Sequence, residues 1–180
     1  MSVFISLLRG INVGGNSIIK MDALRALYQS LKLRDPQTYI QSGNVVFRSE
    51  ERDAAAIARR IEDRIARDFG IRPSVILRTA AEWREIVACN PFAGRSGIEP
   101  NKLLLMFLPD EPPSSIRDAV LALKPDSEEL HLIGSEVWVY FPSGQGQSKF
   151  PAPLDKALKK SATGRNWNTV VKLLEMAEKL

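Results

Sequence analysis

The order of apolar and polar positions divides the chain into short blocks. Val3-Phe4-Ile5-Ser6-Leu7-Leu8 is a near-continuous apolar run of strand length, and Gly10-Ile-Asn-Val-Gly-Gly-Asn16 ends it with turn formers. Met21, Leu24, Tyr28 and Leu31 then recur at i, i+3, i+7 and i+10, the stripe of an amphipathic helix. Thr38 to Gln41 and Asn44 to Phe47 flank Ser42-Gly43, which predicts a hairpin closed by a two-residue turn. A second helix is predicted from about Arg52 to Phe69, with Ile57, Ile61, Ile65 and Phe69 four apart and Arg60, Asp63, Arg64 and Arg67 mostly facing water. Ser74 to Leu77 reads as a further strand.

Strand, helix, strand, strand, helix, strand is the order of a split βαβ, or ferredoxin-like, unit. Ala80 to Cys89 follows as a helical connector, stopped at Asn90-Pro91 because the residue before proline is pushed out of the α region. The opening order then recurs. Lys102 to Leu108 is an apolar strand; Pro112-Pro113-Ser114 leads into a helix carrying Ile116, Val120, Leu121 and Leu123; Leu130 to Ile133 and Val137 to Phe141 flank Gly134-Ser135, with glycine where a type II′ turn requires it. Two helices, Leu154 to about Lys160 and Arg165 to Leu180, end the chain. The expected fold class is therefore α+β, two ferredoxin-like halves with antiparallel sheets and C-terminal helices. Residues 1–79 form the first half, 80–101 the connector, and 102–180 a second half whose last strand the pattern does not supply.

Composition changes this picture little. With 180 residues, 44% hydrophobic and 26% charged, usage is that of a globular protein, and disordered, collagen-like or disulfide-scaffold readings are excluded. The single Cys89 cannot form an intramolecular disulfide, and a lone thiol fits a reducing compartment, so a cytoplasmic location is expected. The run from Val3 to Leu8 is only six residues, contains Ser6 and has no preceding basic region, so it makes neither a signal peptide nor a membrane span, and no membrane association is expected.

Charge is distributed unevenly. Residues 1–79 carry 13 Lys/Arg against 8 Asp/Glu, residues 80–150 carry 6 against 10, and residues 151–180 carry 6 against 3. Basic ends around an acidic middle are compatible with an anionic ligand near the ends, and argue against uniform nucleic-acid coating.

Three loop-like segments concentrate amides, hydroxyls and cations: Arg9 to Asn16, Tyr39 to Asn44, and Arg165 to Thr169. Five of the seven asparagines fall in them, and asparagine offers both donors and acceptors without fixed charge. If they converge, Arg9, Asn12, Asn16, Lys20, Tyr39, Gln41, Ser42 and Asn44 would share a polar cleft with Arg165, Asn166, Trp167 and Asn168, and Arg9, Lys20 and Arg165 would be the anion partners. Ser148 and Lys149, in Ser143-Gly-Gln-Gly-Gln-Ser-Lys149, are further candidate contacts.

The strings L-L-R-G-I-N-V-G-G-N from Leu7, K-M-D-A-L from Lys20, T-Y-I-Q-S-G-N-V-V-F from Thr38 and R-N-W-N-T-V from Arg165 closely resemble the domain of unknown function 1697 family, uncharacterised and mostly bacterial. The resemblance covers almost the whole chain, including Asn90-Pro91-Phe92 and Gly146-Gln147-Ser148-Lys149. It implies two ferredoxin-like halves and no established activity. Gly164 departs from it, standing where a good helix former is expected and leaving the start of the last helix open.

The chemistry must therefore be argued from residues. The glycine-rich segment after the first strand precedes a helix, the context in which backbone N–H groups cradle phosphate, yet it satisfies neither the dinucleotide nor the P-loop spacing and equally fits a glycine-supported turn. The 143–149 segment fails the P-loop spacing too, and a flexible connector explains it better. Thr163 or Asn166 could cap the last helix while Trp167 packs in the core. His131 alternates within a strand, and nothing in the sequence places it beside Cys89 as base to nucleophile. One Cys and one His leave a zinc ligand set half empty, so neither metal nor cofactor is expected.

These features favour a protein that binds an anionic ligand, either a nucleotide or a nucleic-acid segment. The first half shares its topology with RNA-recognition domains, but Asn44-Val-Val-Phe-Arg48 lacks the glycine and most of the aromatics that would stack bases. The alternatives are a metal-independent enzyme on a small phosphorylated or acyl substrate, with Lys20, Tyr39 or Lys149 handling protons, and a structural protein whose sheet edge or basic helix docks another chain.

Overall fold

The computed structural model describes residues 1–15, 18–159 and 161–180; Asn16, Ser17 and Lys160 lie outside the described residues. The chain packs as two compact units, Met1–Glu85 together with Lys172–Leu180, and Ile86–Val171. No helix among the described residues is long and apolar enough to cross a membrane.

The first unit runs β1 (Ser2–Arg9), α1 (Met21–Ser30), β2 (Arg34–Tyr39), β3 (Asn44–Ser49), α2 (Ala54–Phe69), β4 (Ser74–Thr79) and the start of α3 (Ala80–Ala88). Its antiparallel sheet has the order β2-β3-β1-β4, the ferredoxin-like arrangement. The period of two along β1 sends Phe4 and Leu8 into a core with Leu24, Leu27, Ile57, Ile61 and Ile65 of the two helices. Each such side chain, fully buried, contributes about 1.5–3 kcal/mol. Ser6, on the same face, is paired with the buried Tyr28 hydroxyl at 2.7 Å, and burial pushes the Tyr28 phenol well above its ordinary range. α2 starts where Asp53 accepts a hydrogen bond from the Ala56 amide (2.9 Å) and stops at Gly70, whose φ of 70° is the left-handed cap that glycine adopts without strain. On the opposite face of the sheet Ile5, Leu7, Val46 and Ile76 are no more than 2% exposed.

The first hairpin departs from the pattern-based expectation. β2 begins at Arg34 inside a polar stretch, because an edge strand with Pro36 and a register shift between Arg34 and Gln37 needs no apolar alternation. Tyr39 pairs with Asn44, so the connection is a four-residue loop, 40–43, and not the two-residue turn expected at Ser42-Gly43. The loop turns onto β1 and does not extend the ladder. Leu8 donates its amide to the Gly43 carbonyl at 2.8 Å, and a Cβ on Gly43 would sit 2.8 Å from both Leu8 and Ile11.

The second unit contains the end of α3, then β5 (Leu103–Phe107), α4 (Ser114–Leu121), β6 (Glu129–Ile133), β7 (Glu136–Tyr140), α5 (Pro151–Ala157), β8 (Thr163–Asn166) and the first turn of α6 (Trp167–Glu178). Its sheet order, β6-β7-β5-β8, repeats that of the first. The strand expected to be missing is present: Thr163–Asn166 pairs antiparallel with β5, and the last helix starts at Trp167, two residues later than predicted. Gly164 belongs to that strand. A Cβ there would lie 3.2 Å from Leu104, so glycine serves a close approach between neighbouring strands and no helix former is called for. The turn at Gly134-Ser135 is as predicted, with Ile133 opposite Glu136 and a φ of 58° at Gly134.

Candidate functional site

In the first unit the two asparagine-bearing loops are tied together by their own side chains. Asn12, held at a φ of 54°, donates through Nδ2 to the carbonyls of Ile19 (3.1 Å) and Gln41 (2.8 Å) and accepts the Ile19 amide on Oδ1 at 2.7 Å. One side chain thus ties Asn12 both to Ile19 and to the 40–43 loop. Asn44, fully buried, donates to the Tyr39 carbonyl (3.0 Å) and the Ser42 hydroxyl (2.9 Å), closing the hairpin from below. Most of these bonds serve backbone groups, the Ser42 hydroxyl being the exception. Asn16, a further expected site residue, lies outside the described residues.

The cations are placed differently. Arg9 ends β1 half-buried and Lys20 is exposed immediately before α1; neither side chain has a hydrogen bond or ion pair with another described residue. α1 starts without a side-chain cap from its N-cap residue, since Lys20 cannot accept a hydrogen bond. Gly14 and Gly15 are both exposed at positive φ, 62° and 77°. Tyr39 is half-buried and shares a sheet face with Arg9, as the register Tyr39–Asn44–Leu7 requires. Two strand spacings and two residues along β1 separate their Cα atoms by about 12 Å. Gln41 is exposed.

In the second unit Arg165 is 8% exposed and donates to the Thr163 hydroxyl (3.0 Å) and the Gly164 carbonyl (2.8 Å). Burial lowers its pKa to about 10, a large departure for a guanidinium. Asn166 caps α6 by accepting the Thr169 amide at 3.0 Å. Trp167 is half-buried with its ring 5.5 Å from that of the buried Trp138, and Asn168 is exposed.

Ser148 and Lys149 lie in a cleft of 230 Å³ with Glu128. The cleft already contains an anion of the protein's own. The Ser148 hydroxyl donates to Glu128, whose other oxygen accepts the amides of Asp126 (3.2 Å) and Ser127 (3.3 Å). The Ser148 bond, aided by those amides, holds the Glu128 carboxyl below its ordinary range. A phosphate there would meet a carboxylate.

Sequence reasoning missed a constellation beside that cleft. Glu129 receives Arg95 at 2.7 and 2.8 Å and pairs with His131 at 2.8 Å; Arg95 lies 5.2 Å over the Phe92 ring, which packs edge-on against His131. Tyr140 donates to the Gly97 carbonyl at 3.0 Å. The group ties the 90–100 loop to the second hairpin. Only the alternation of Glu129 and His131 along one strand hints at it, because Phe92 and Arg95 come from a loop with no periodicity. Among the described residues no three His, Cys, Asp or Glu side chains gather to hold a metal ion.

A family model described as protein of unknown function (DUF1697) matches residues 1–138. No curated protein matches the chain. The chain is similar to the solved structure of the conserved bacterial protein SP0830 from Streptococcus pneumoniae, with a TM-score of 0.79 and 23% identity over 99% of each chain, a likeness that shows the fold alone.

Proposed function

Because the chain belongs to the DUF1697 family, a protein of unknown function, its chemistry has to come from its own residues, and we propose that it binds a nucleotide through the paired loops of its first unit. The observation that carries this reading is the contrast between Arg9 and Lys20, which pair with no described residue, and the Asn12 and Asn44 amides near them, which are spent on tying Ile19, Gln41 and Tyr39 in place. A preorganised loop with unpaired cations and an uncapped helix start lowers the cost of binding an anion. Tyr39, half-buried at the base of the 40–43 loop, supplies an aromatic ring beside these loops for a base. A nucleic-acid strand fits less well, since the sheet face that would stack its bases holds the buried Ile5, Leu7, Val46 and Ile76.

A thermal-shift screen with nucleoside mono- and triphosphates, phosphosugars, inorganic phosphate and eight-nucleotide oligomers tests this. A ligand at 100 times its dissociation constant adds about 2.7 kcal/mol of stability. The expected result is a shift with nucleotides, weakened about tenfold in Kd by Arg9→Ala and by Lys20→Ala, a loss of about 1.4 kcal/mol each, with the unliganded melting temperature unchanged. No shift with any nucleotide, or binding indifferent to both substitutions, overturns the assignment.

A further inference from the structure

The second unit carries a trough unlike the polar cleft at Glu128. It has a volume of 440 Å³, runs between α4 and α5, and has an aliphatic floor of Ile116, Ala119, Leu123, Pro153 and Ala157. Ile116, Leu123 and Ala157 are the outward edges of side chains whose other sides pack on the core of that unit, so the trough is a surface of fixed shape. Lys156 and Lys159 stand at its rim, and neither has an ion pair or hydrogen bond through its side chain with another described residue. Lysines at a helix C-terminus are ordinary, because they complement the helix dipole. That ordinary role does not explain the open aliphatic floor beside them.

We propose that this trough docks an acidic amphipathic helix of a partner protein. Two features select that occupant. The trough is open to solvent along its length, whereas a small apolar ligand needs a pocket that encloses most of its surface. A helix brings its own backing: it lays leucine-sized anchors at i, i+4 and i+7 into the floor and keeps its polar face in water. The small side chains Ala119 and Ala157 allow its backbone to come close. The rim selects the charge, since carboxylates flanking the anchors would meet two ammonium groups that no described residue pairs. The nearest acids on the two helices, Asp118 and Asp155, fall on other faces by the helical period and are absent from the trough lining.

The probe is a fluorescein-labelled 18-residue helical peptide with leucines at i, i+4 and i+7 and glutamates beside them, titrated against the full chain by anisotropy. Saturable binding below about 100 µM is expected, at least tenfold weaker for Ala119→Glu, whose position on α4 is exposed so that folding is spared. The double variant Lys156→Glu with Lys159→Glu should lose the acidic peptide and gain its lysine counterpart, a reversal that misfolding cannot produce. Equal binding of a scrambled peptide, indifference to Ala119→Glu, or no saturation by 100 µM overturns the proposal. So does displacement of the peptide by dodecanoate or by anionic phosphatidylglycerol vesicles, or a dimer of the chain that Ala119→Glu dissolves.

Discussion

The two hairpins occupy equivalent places in sheets of the same order, yet they are built on opposite principles. The second is closed by two residues with glycine at the one position that needs positive φ, and beside it the carboxylates of Glu128 and Glu129 do the fastening, one to the Ser148 hydroxyl and the other to Arg95. The first takes four residues, places the β-branched Ile40 at a φ of 48°, and is fastened by the neutral amides of Asn12 and Asn44. A tight turn needs no support; an irregular loop beside two unpaired cations needs a great deal. The extra residues and their strain sit where the anion site is proposed, which is where irregular backbone tends to be retained.

The sharpest test of that contrast exchanges glycine for alanine in each hairpin. At Gly43 the new Cβ would lie 2.8 Å from Leu8 and Ile11, in a backbone at φ 77°, so Gly43→Ala should cost about 3 kcal/mol or more in chemical denaturation. At Gly134 the nearest atom is a Glu136 oxygen at 3.7 Å, leaving only the φ of 58° to oppose the methyl, and the cost should be about 1 kcal/mol. Equal losses would mean that the first loop does not rest on β1. Next in size, Asn12→Ala should cost about 2 kcal/mol, because it removes three hydrogen bonds and leaves the Ile19 amide without its acceptor. It should also abolish any nucleotide-induced shift, since the loops would no longer be held together.

Much of this architecture was legible. The helices announced themselves through Leu24, Tyr28, Ile57, Ile61 and Ile65, and Gly134-Ser135 through its turn chemistry, because local propensity and tertiary packing agree there. The sequence puts Arg165 and Asn166 in the last helix and misses the strand Thr163–Asn166, because four residues with one glycine carry no period. Its strand state comes from pairing with β5, a nonlocal fact. At the candidate site the sequence shows the concentration of asparagine but not where each amide points: Asn12 and Asn44 donate to carbonyls of neighbouring loops, Asn166 caps a helix, and Arg9 and Lys20 pair with no described residue. Arg165, expected to face a ligand, is buried against Thr163 and Gly164.

The strain at Ile40 offers a smaller effect of opposite sign. Its side chain is 52% exposed, so little packing compensates a left-handed backbone that costs a β-branched residue about 1–2 kcal/mol. Ile40→Gly removes that cost while adding chain entropy to the unfolded state, for a net gain of roughly 0.5–1 kcal/mol. A loss instead would show that the isoleucine packs against something in solution, and the loop would then belong to an interface.

The smallest effect separates the two hairpins by acid. Glu129 is held below its ordinary carboxyl range first by its hydrogen bond to His131 and then by Arg95. A carboxyl depressed in the folded state contributes stability that is present above the unfolded value of about 4.3 and is lost as pH falls through the folded value beneath it. Glu128 follows the same sign through its Ser148 bond. The Asn12 and Asn44 amides do not titrate, so the first hairpin has no counterpart to this loss. Both carboxylates are partly solvated, so the change should appear as local opening and leave global unfolding nearly unmoved. Hydrogen exchange followed by mass spectrometry from pH 7 to 3.5, corrected for the intrinsic rate, should show protection in 90–100 and 129–133 falling below about pH 4 while that in 10–15 and 40–44 persists. Glu129→Gln should lower protection of the 90–100 loop at neutral pH and flatten its acid limb, because the neutral amide offers Arg95 one uncharged acceptor in place of a carboxylate and has no proton to gain. Parallel loosening of both hairpins would mean that they open as one unit and that the difference in their fastenings has no consequence in solution.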